Sequence, residues 1–187
     1  MPQHIVCPWW IGYLLASPIR RRWQDPREIL RPHLREGMTV LEAGPGMGFF
    51  TLELLRLTGP SGRVVAVDIQ PRMLEALKRR AAKAGLLERL DARLAQPDSM
   101  PLAGLEGAVD FALAFAVVHE LPAAGRFFAE VSRALRPGAR LLLAEPAGHV
   151  KPAEFEEELR QAAGAGLNPV DRPPIRRSRT VLLEKTG

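Results

Sequence analysis

Thiols and lysines are scarce in this chain of 187 residues. The one cysteine, Cys7, cannot form an intramolecular disulfide or a cysteine-based zinc site, so a reducing, cytoplasmic location is the expectation. Only four residues are lysine, so arginine carries nearly all of the 26 basic charges, which stand against 21 acidic ones. The resulting net charge of +5 is compatible with nucleic acid, an anionic membrane or acidic substrates, and it selects none of them.

An apolar stretch at residues 5–16 is too short to span a bilayer. Three arginines follow it rather than precede it, which is the wrong order for a secretory signal. It can form a helix packed over the domain, or an interfacial helix whose aromatic side chains face lipid. We favour the packed helix and predict a helical cap over residues 1–36, followed by one domain over residues 37–187. The cap side chains expected to close a substrate pocket are Trp9, Trp10, Tyr13 and Leu14.

Short β-rich runs alternate with longer helical runs along the rest of the chain, which is typical of parallel βαβ units. The predicted strands are Met38–Ala43, Arg63–Asp68, Leu90–Ala95, Val109–Val117, Arg140–Glu145 and Arg179–Glu184. The predicted helices are Met47–Leu57, Pro71–Ala84, Ala123–Leu135 and Pro152–Ala165. The pattern predicts an α/β fold with a doubly wound, mostly parallel sheet and helices on both faces. Ligands of such sheets bind at the carboxyl ends of the strands.

A glycine-rich turn follows the first predicted strand, with Gly44, Gly46 and Gly48 at a spacing of two. Glycine lets a backbone approach a ligand closely, although a tight turn without a ligand also explains the pattern. Asp68 ends the second strand, where a carboxylate can accept both hydroxyls of a ribose. Glu42 ends the first strand, directly beneath the glycine turn. The set favours a ligand that carries a ribose and a cationic group.

A dinucleotide is a poorer match for the same turn. Its fingerprint needs glycine or alanine where this chain has Phe49, and its pyrophosphate would lie over the Glu42 carboxylate. S-adenosylmethionine carries an ammonium and a sulfonium, so an acidic residue beneath the turn suits it.

Three motifs in order resemble the class I S-adenosylmethionine-dependent methyltransferases. They are Glu42-Ala43-Gly44-Pro45-Gly46-Met47-Gly48, Val67-Asp68-Ile69-Gln70-Pro71-Arg72-Met73-Leu74 and Leu135-Arg136-Pro137-Gly138-Ala139-Arg140-Leu141. The closest resemblance is to the branch that contains the quinone-biosynthesis methyltransferases and other small-molecule enzymes. It covers about Met38 to Glu184 and implies a Rossmann-like sheet of seven strands.

The resemblance also implies which residues contact S-adenosylmethionine. The three glycines would lie against its methionine portion, Glu42 would reach its ammonium, often through water, and Asp68 would hold the ribose hydroxyls. Gln96 occupies the place of an acidic residue that bonds the adenine amino group in the family, and its side-chain carbonyl can accept the same bond. The remaining expected cofactor contacts are Ile69, Met73, Pro97 and Phe115. No metal is expected.

His119 and Glu120 follow the fourth predicted strand, at the rim of the expected pocket. His119 could take a proton near neutral pH, with Glu120 orienting its ring or binding a cationic group. Alternatively, His119 caps the following turn and Glu120 is a solvated carboxylate. His149, after the fifth strand, either lines the acceptor side or is a surface histidine. With Cys7 alone, the multi-cysteine arsenite site of some relatives is excluded.

The sequence therefore predicts methyl transfer from S-adenosylmethionine to a small or lipophilic molecule by a monomer or homodimer without a transmembrane segment. One alternative is an RNA methyltransferase that uses the arginine surplus. The other is a binding module that has lost catalysis. The arginines lie in different elements and no aromatic residues interleave with them, so nucleic acid is the less favoured substrate.

Overall fold

A computed structural model describes residues 22–97 and 99–187. They form one sheet of seven strands in the order β3-β2-β1-β4-β5-β7-β6. The strands are β1 Thr39–Ala43, β2 Arg63–Asp68, β3 Leu90–Leu94, β4 Val109–Phe115, β5 Leu135–Pro146, β6 Leu167–Asp171 and β7 Ser178–Lys185. The helices of four or more residues are α1 Pro26–Leu30, α2 Thr51–Leu57, α3 Pro71–Lys83, α4 Ala124–Ala134 and α5 Pro152–Gly164.

The sheet is parallel from β3 to β5, and β7 pairs antiparallel with both β5 and β6. Buried apolar residues run almost continuously along β2 and β4, as expected of strands covered on both faces. Neighbouring residues in a strand point to opposite faces, so Val40 and Val64 join one buried cluster while Leu41 and Val65 join the other. The predicted fold class is therefore confirmed, including the seven strands and the helices on both faces.

Proline and glycine residues mark where two of the helices begin or end. α3 starts at Pro71, whose fixed φ suits the first turn, and Gly85 follows its end at a φ of 68°. α2 begins at Thr51, four residues later than predicted, because Gly48 at a φ of 85° belongs to the preceding turn. The glycine turn is therefore longer than the sequence indicated.

Three strands differ from the prediction by more than one residue at an end. β6 was not predicted, since the run from Leu167 to Asp171 is short and contains a proline; β7 holds it in the sheet as an edge strand. β5 begins at Leu135 rather than Arg140, because Leu135 already pairs with Val109. β4 ends at Phe115, two residues early, because Ala116 has a φ of 57° and turns the chain out of the sheet.

The N-terminal part of the domain is described only from residue 22 onward. Asp25 caps α1 by accepting a hydrogen bond from the Arg27 amide, and Leu30 is fully buried in the domain. The side-chain amide of Gln24 donates a hydrogen bond to the backbone carbonyl of Arg176, and this bond links the segment to the turn before β7. Most of the predicted cap, including Trp9, Trp10, Tyr13 and Leu14, lies outside the described residues. Within the described ranges, none of the helices has the length and apolar character needed to cross a bilayer.

Candidate functional site

A cavity of about 370 Å³ opens at the carboxyl ends of β1 to β4, a volume within the range of small-molecule sites. Its walls come from four stretches of chain, residues 43–50, 67–73, 95–100 and 115–130. The cavity brings together most of the predicted cofactor residues. Those lining it are Gly44, Gly46, Asp68, Ile69, Met73, Gln96, Pro97 and Phe115.

The three glycines of the turn differ in what surrounds them. Gly44 has a φ of 69°, and a Cβ there would lie 2.7 Å from a methyl group of Val117. Gly48 packs on α3, where a Cβ would meet the Leu77 side chain, and it does not line the cavity. Gly46 has a φ of 53° and open space where its Cβ would stand. Gly46 therefore leaves room for a ligand, whereas the other two allow the turn itself to pack.

Asp68 ties the first two loops together. One carboxylate oxygen accepts the amide hydrogen of Gly46 at 3.2 Å, and the other accepts that of Gln70 at 2.9 Å. Burial raises the pKa of Asp68 to about 6, although these amide bonds lower it. The carboxylate lines the cavity, where it can accept hydroxyl groups of a ligand.

Glu42 lies beneath the glycine turn, and its side chain does not line the cavity. It is 2% exposed, and one of its oxygens accepts a hydrogen bond from the Thr51 hydroxyl at 2.6 Å. Burial raises its pKa to about 8, so the carboxyl group is largely protonated at neutral pH. The predicted contact with an ammonium, direct or through water, remains a prediction.

The residues expected around adenine lie at the β2 and β3 end of the cavity. Ile69 is 38% exposed and lines the cavity, while Met73 is buried on α3 beside Met47. Gln96 is exposed, and its backbone exchanges hydrogen bonds with that of Ser99, which shapes the loop after β3. An apolar ring system would cover the Ile69 side chain.

His119 and Glu120 are neighbours in a short 3₁₀ turn, Val118–Glu120. Glu120 lines the cavity, and His119 does not. The Nδ1 atom of His119 instead hydrogen-bonds the carboxylate of Glu145, and this bond raises the pKa of His119 against the effect of burial. His149 is exposed and also lies off the cavity, with its ring centre 6.2 Å from that of His119. The roles given to all three stay predictions.

Glu145 is a site residue that sequence reasoning missed. It is fully buried at the end of β5, and it accepts amide hydrogens from Val117 and Val118 as well as the His119 ring. An acid at the end of an apolar strand was the available signal, because Glu42 and Asp68 were found by the same feature. Among the described residues no group of three or more potential ligands is placed to hold a metal ion.

The described residues fit S-adenosylmethionine on three grounds. Gly46 keeps an open space that a side chain would fill, Asp68 offers acceptor oxygens, and Ile69 offers an apolar surface. Among the charged residues that line the cavity, three are acidic and one, Arg126, is basic. A cationic ligand that carries hydroxyl groups and an aromatic ring matches this wall.

Comparisons with known proteins agree with this geometry. Residues 34–169 match the sequence model of the methyltransferase domain family. Arsenite methyltransferase of Halobacterium salinarum is 31% identical over 123 residues, which cover 66% of this chain and 30% of that protein. The ubiquinone/menaquinone biosynthesis C-methyltransferase UbiE of Brucella canis is 28% identical over 134 residues, 71% of this chain and 49% of that protein. The chain thus spans half or less of the length of these curated relatives.

A crystal structure of a SAM-dependent methyltransferase from Aquifex aeolicus superposes with a TM-score of 0.85 at 25% identity, covering 96% of this chain and 99% of that one. The resemblance stated from the three motifs is thereby confirmed, as is S-adenosylmethionine as the cofactor of the family. The chain belongs to the methyltransferase domain family and has the class I S-adenosylmethionine-dependent methyltransferase fold.

Proposed function

We propose that this protein transfers a methyl group from S-adenosylmethionine to a small or lipophilic molecule. The observation that carries the proposal is the continuity of the cavity, because the glycine turn and Asp68 share it with an apolar wall. That wall is formed by Phe49, Phe50, Phe115, Leu121 and Phe127. A cofactor and an apolar acceptor would therefore occupy neighbouring parts of one cavity.

The residues that would hold the cofactor follow the order of the strands. Asp68 would accept the ribose hydroxyls, Ile69 and Met73 would flank the adenine, and the turn around Gly46 would receive the methionine portion. S-adenosylmethionine, when bound, supplies a methyl group on a positively charged sulfur. The protein's own contribution is to hold the acceptor close and aligned, which accounts for much of the acceleration in such displacements.

The surface charges support a small acceptor over RNA. Several arginines pair with acidic residues of neighbouring elements, including Arg140 with Glu184 at 2.8 Å and Arg172 with Glu156 at 3.3 Å. Within the described part of the chain, such pairs place acidic charge beside these arginines, which weakens their attraction for a phosphate backbone. The expected monomeric or dimeric state remains part of the proposal.

The test measures binding and methyl transfer in one series. Wild-type protein is titrated with S-adenosylhomocysteine by calorimetry, then incubated with methyl-labelled S-adenosylmethionine and four acceptors: a naphthohydroquinone, a catechol, an aromatic amine and total RNA. We expect binding and label in at least one small acceptor, and loss of both in Asp68→Ala. Label in RNA alone would favour the RNA alternative, and binding without any transfer would favour the silent module.

A further inference from the structure

Glu145 organises the loop that follows β4. Its Oε1 atom accepts the amide hydrogens of Val117 at 3.3 Å and Val118 at 2.8 Å, and its Oε2 atom binds Nδ1 of His119. The Ala116 amide donates to the carbonyl of Ala144 at 2.7 Å, so the same strand end holds the residue with a φ of 57°. The end of β5 thus fixes a strained turn whose far side is the cavity wall.

His119 stands between two carboxylates. Nδ1 contacts Glu145, and Nε2 lies 4.0 Å from Oε1 of Glu120. Each nitrogen therefore faces an acceptor, an arrangement that suits the doubly protonated imidazolium. From α5, Glu158 adds negative potential when it is ionised, and exposed His149 lies nearby. His119 itself does not line the cavity, so its ring is not placed to take a proton from a ligand there.

Of the three contacting residues Glu145, His119 and Glu120, Glu120 is the one that lines the cavity. The sheet order places the β4 loop on the side of the glycine turn opposite the β2 and β3 loops, where adenosine is expected. Glu120 is nevertheless close enough that its charge raises the pKa of Asp68. Glu120 therefore shares the cavity both with Asp68 and with the apolar residues Leu121 and Phe127.

We propose that Glu120 accepts the proton of the methyl acceptor, and that Glu145 and His119 are positioning residues that hold Glu120 in the cavity wall. The inference rests on the proposed function and narrows its substrate to a hydroxyl or amine that loses a proton. As the acceptor oxygen or nitrogen bonds to the methyl carbon, the bond from that carbon to sulfur breaks and leaves its electron pair on sulfur. The acceptor's proton passes to a carboxylate oxygen of Glu120.

The first experiment compares two ligands of known charge at pH 7.5. Sinefungin carries an amine where the transferable methyl group of S-adenosylmethionine stands, and S-adenosylhomocysteine carries nothing there. By calorimetry, Glu120→Gln should lower the preference for sinefungin over S-adenosylhomocysteine about tenfold, since a charge-assisted contact is lost. His119→Gln should also lower the preference for sinefungin. The variant that carries both substitutions should lose no more of this preference than Glu120→Gln alone.

The second experiment follows the His119 ring by NMR in the presence of S-adenosylhomocysteine. Glu145→Gln keeps the size of the side chain and removes its charge, so the pKa of His119 should fall. Glu53→Gln is the matched control, because Glu53 is a buried acid that lies off the cavity and does not act on His119, and it should change neither the ligand preference nor the pKa of His119. For any probe acceptor that wild type methylates, Glu120→Gln should lower kcat and remove the acidic limb of its pH profile.

The outcomes separate this inference from the proposed function. If Glu120→Gln leaves the preference for sinefungin unchanged, the Glu120 carboxylate does not lie beside the position of the transferable methyl group. If the losses of the two single variants add up in the double variant, His119 does not act through Glu120. A His119 pKa that stays the same in Glu145→Gln would reject the positioning role. Failure of wild type to bind S-adenosylhomocysteine would instead contradict the proposed function.

Discussion

Asp68 has its carboxylate shared between two loops and a ligand cavity. Because burial raises its pKa to about 6, it is ionised at pH 7.5 and mostly protonated at pH 5. A protonated carboxyl group accepts ribose hydroxyls less well than a carboxylate does. Affinity for a nucleoside ligand should therefore fall as the pH drops through 6.

We predict that S-adenosylhomocysteine binds wild type several-fold more weakly at pH 5.5 than at pH 7.5. In Asp68→Asn the affinity at pH 7.5 should drop about tenfold and its pH dependence near 6 should disappear. Calorimetry at both values measures this, with Asp91→Asn as the control, since Asp91 pairs with Arg93 away from the cavity. Equal affinity and equal pH dependence in wild type and Asp68→Asn would refute the ribose assignment.

At the scale of the element, the glycine turn between β1 and α2 combines a packing role and a ligand role. Gly44 and Gly48 have close neighbours at the position of a Cβ, whereas Gly46 has none within 4 Å. Gly138, in the turn within β5, has a φ of 72° and the same open space, but lies off the cavity. The two open glycines differ chiefly in whether a ligand is expected above them.

We predict that Gly46→Ala and Gly138→Ala each lower the free energy of unfolding by about 1 kcal/mol, the cost of a positive φ for a residue with a Cβ. Only Gly46→Ala should weaken S-adenosylhomocysteine binding, because only its methyl group enters the cavity. Urea unfolding and calorimetry on both variants measure the two effects. Full binding by Gly46→Ala would show that the ligand does not lie over the turn.

At the scale of the whole molecule, two buried acids among the described residues have pKa values that rise to about 8. Glu42 lies beneath the glycine turn and Glu158 on α5, and burial is the main cause for both. One oxygen of Glu158 has no hydrogen-bond partner within the described part of the chain. The pKa of such a carboxyl group is higher in the folded protein than in the unfolded chain. At a pH between these two pKa values, the folded state therefore binds more protons than the unfolded state. Between about pH 4.5 and 8, the free energy of unfolding therefore falls as the pH rises.

We expect each acid to contribute a slope on the order of 1 kcal/mol per pH unit within that window. The raised pKa of His119 acts in the same direction, and the lowered pKa of His33 opposes it below about 6.5. Urea unfolding from pH 6 to 8.5 should show the decline, and Glu42→Gln or Glu158→Gln should make it shallower. Glu156→Gln, an exposed control, should leave the slope as it is. A flat profile in wild type would contradict the burial of both acids.

Features that depend on neighbours along the chain were determined by the sequence. Alternating runs set the strands and helices, Pro71 and Gly85 mark the limits of α3, and Asp68 ends an apolar strand beside the glycine turn. These signals act over a few residues, so propensity, capping and periodicity read them directly.

Only the tertiary structure decided which acidic residues line the cavity and which contact His119. Glu145 meets His119 across 26 positions of sequence because β5 lies beside β4. His119 and Glu120 are adjacent in the 3₁₀ turn, yet Glu120 lines the cavity and His119 does not. β6 likewise exists because β7 offers it an edge. Side-chain direction after a strained residue and pairing between distant segments depend on packing, which local sequence patterns do not contain.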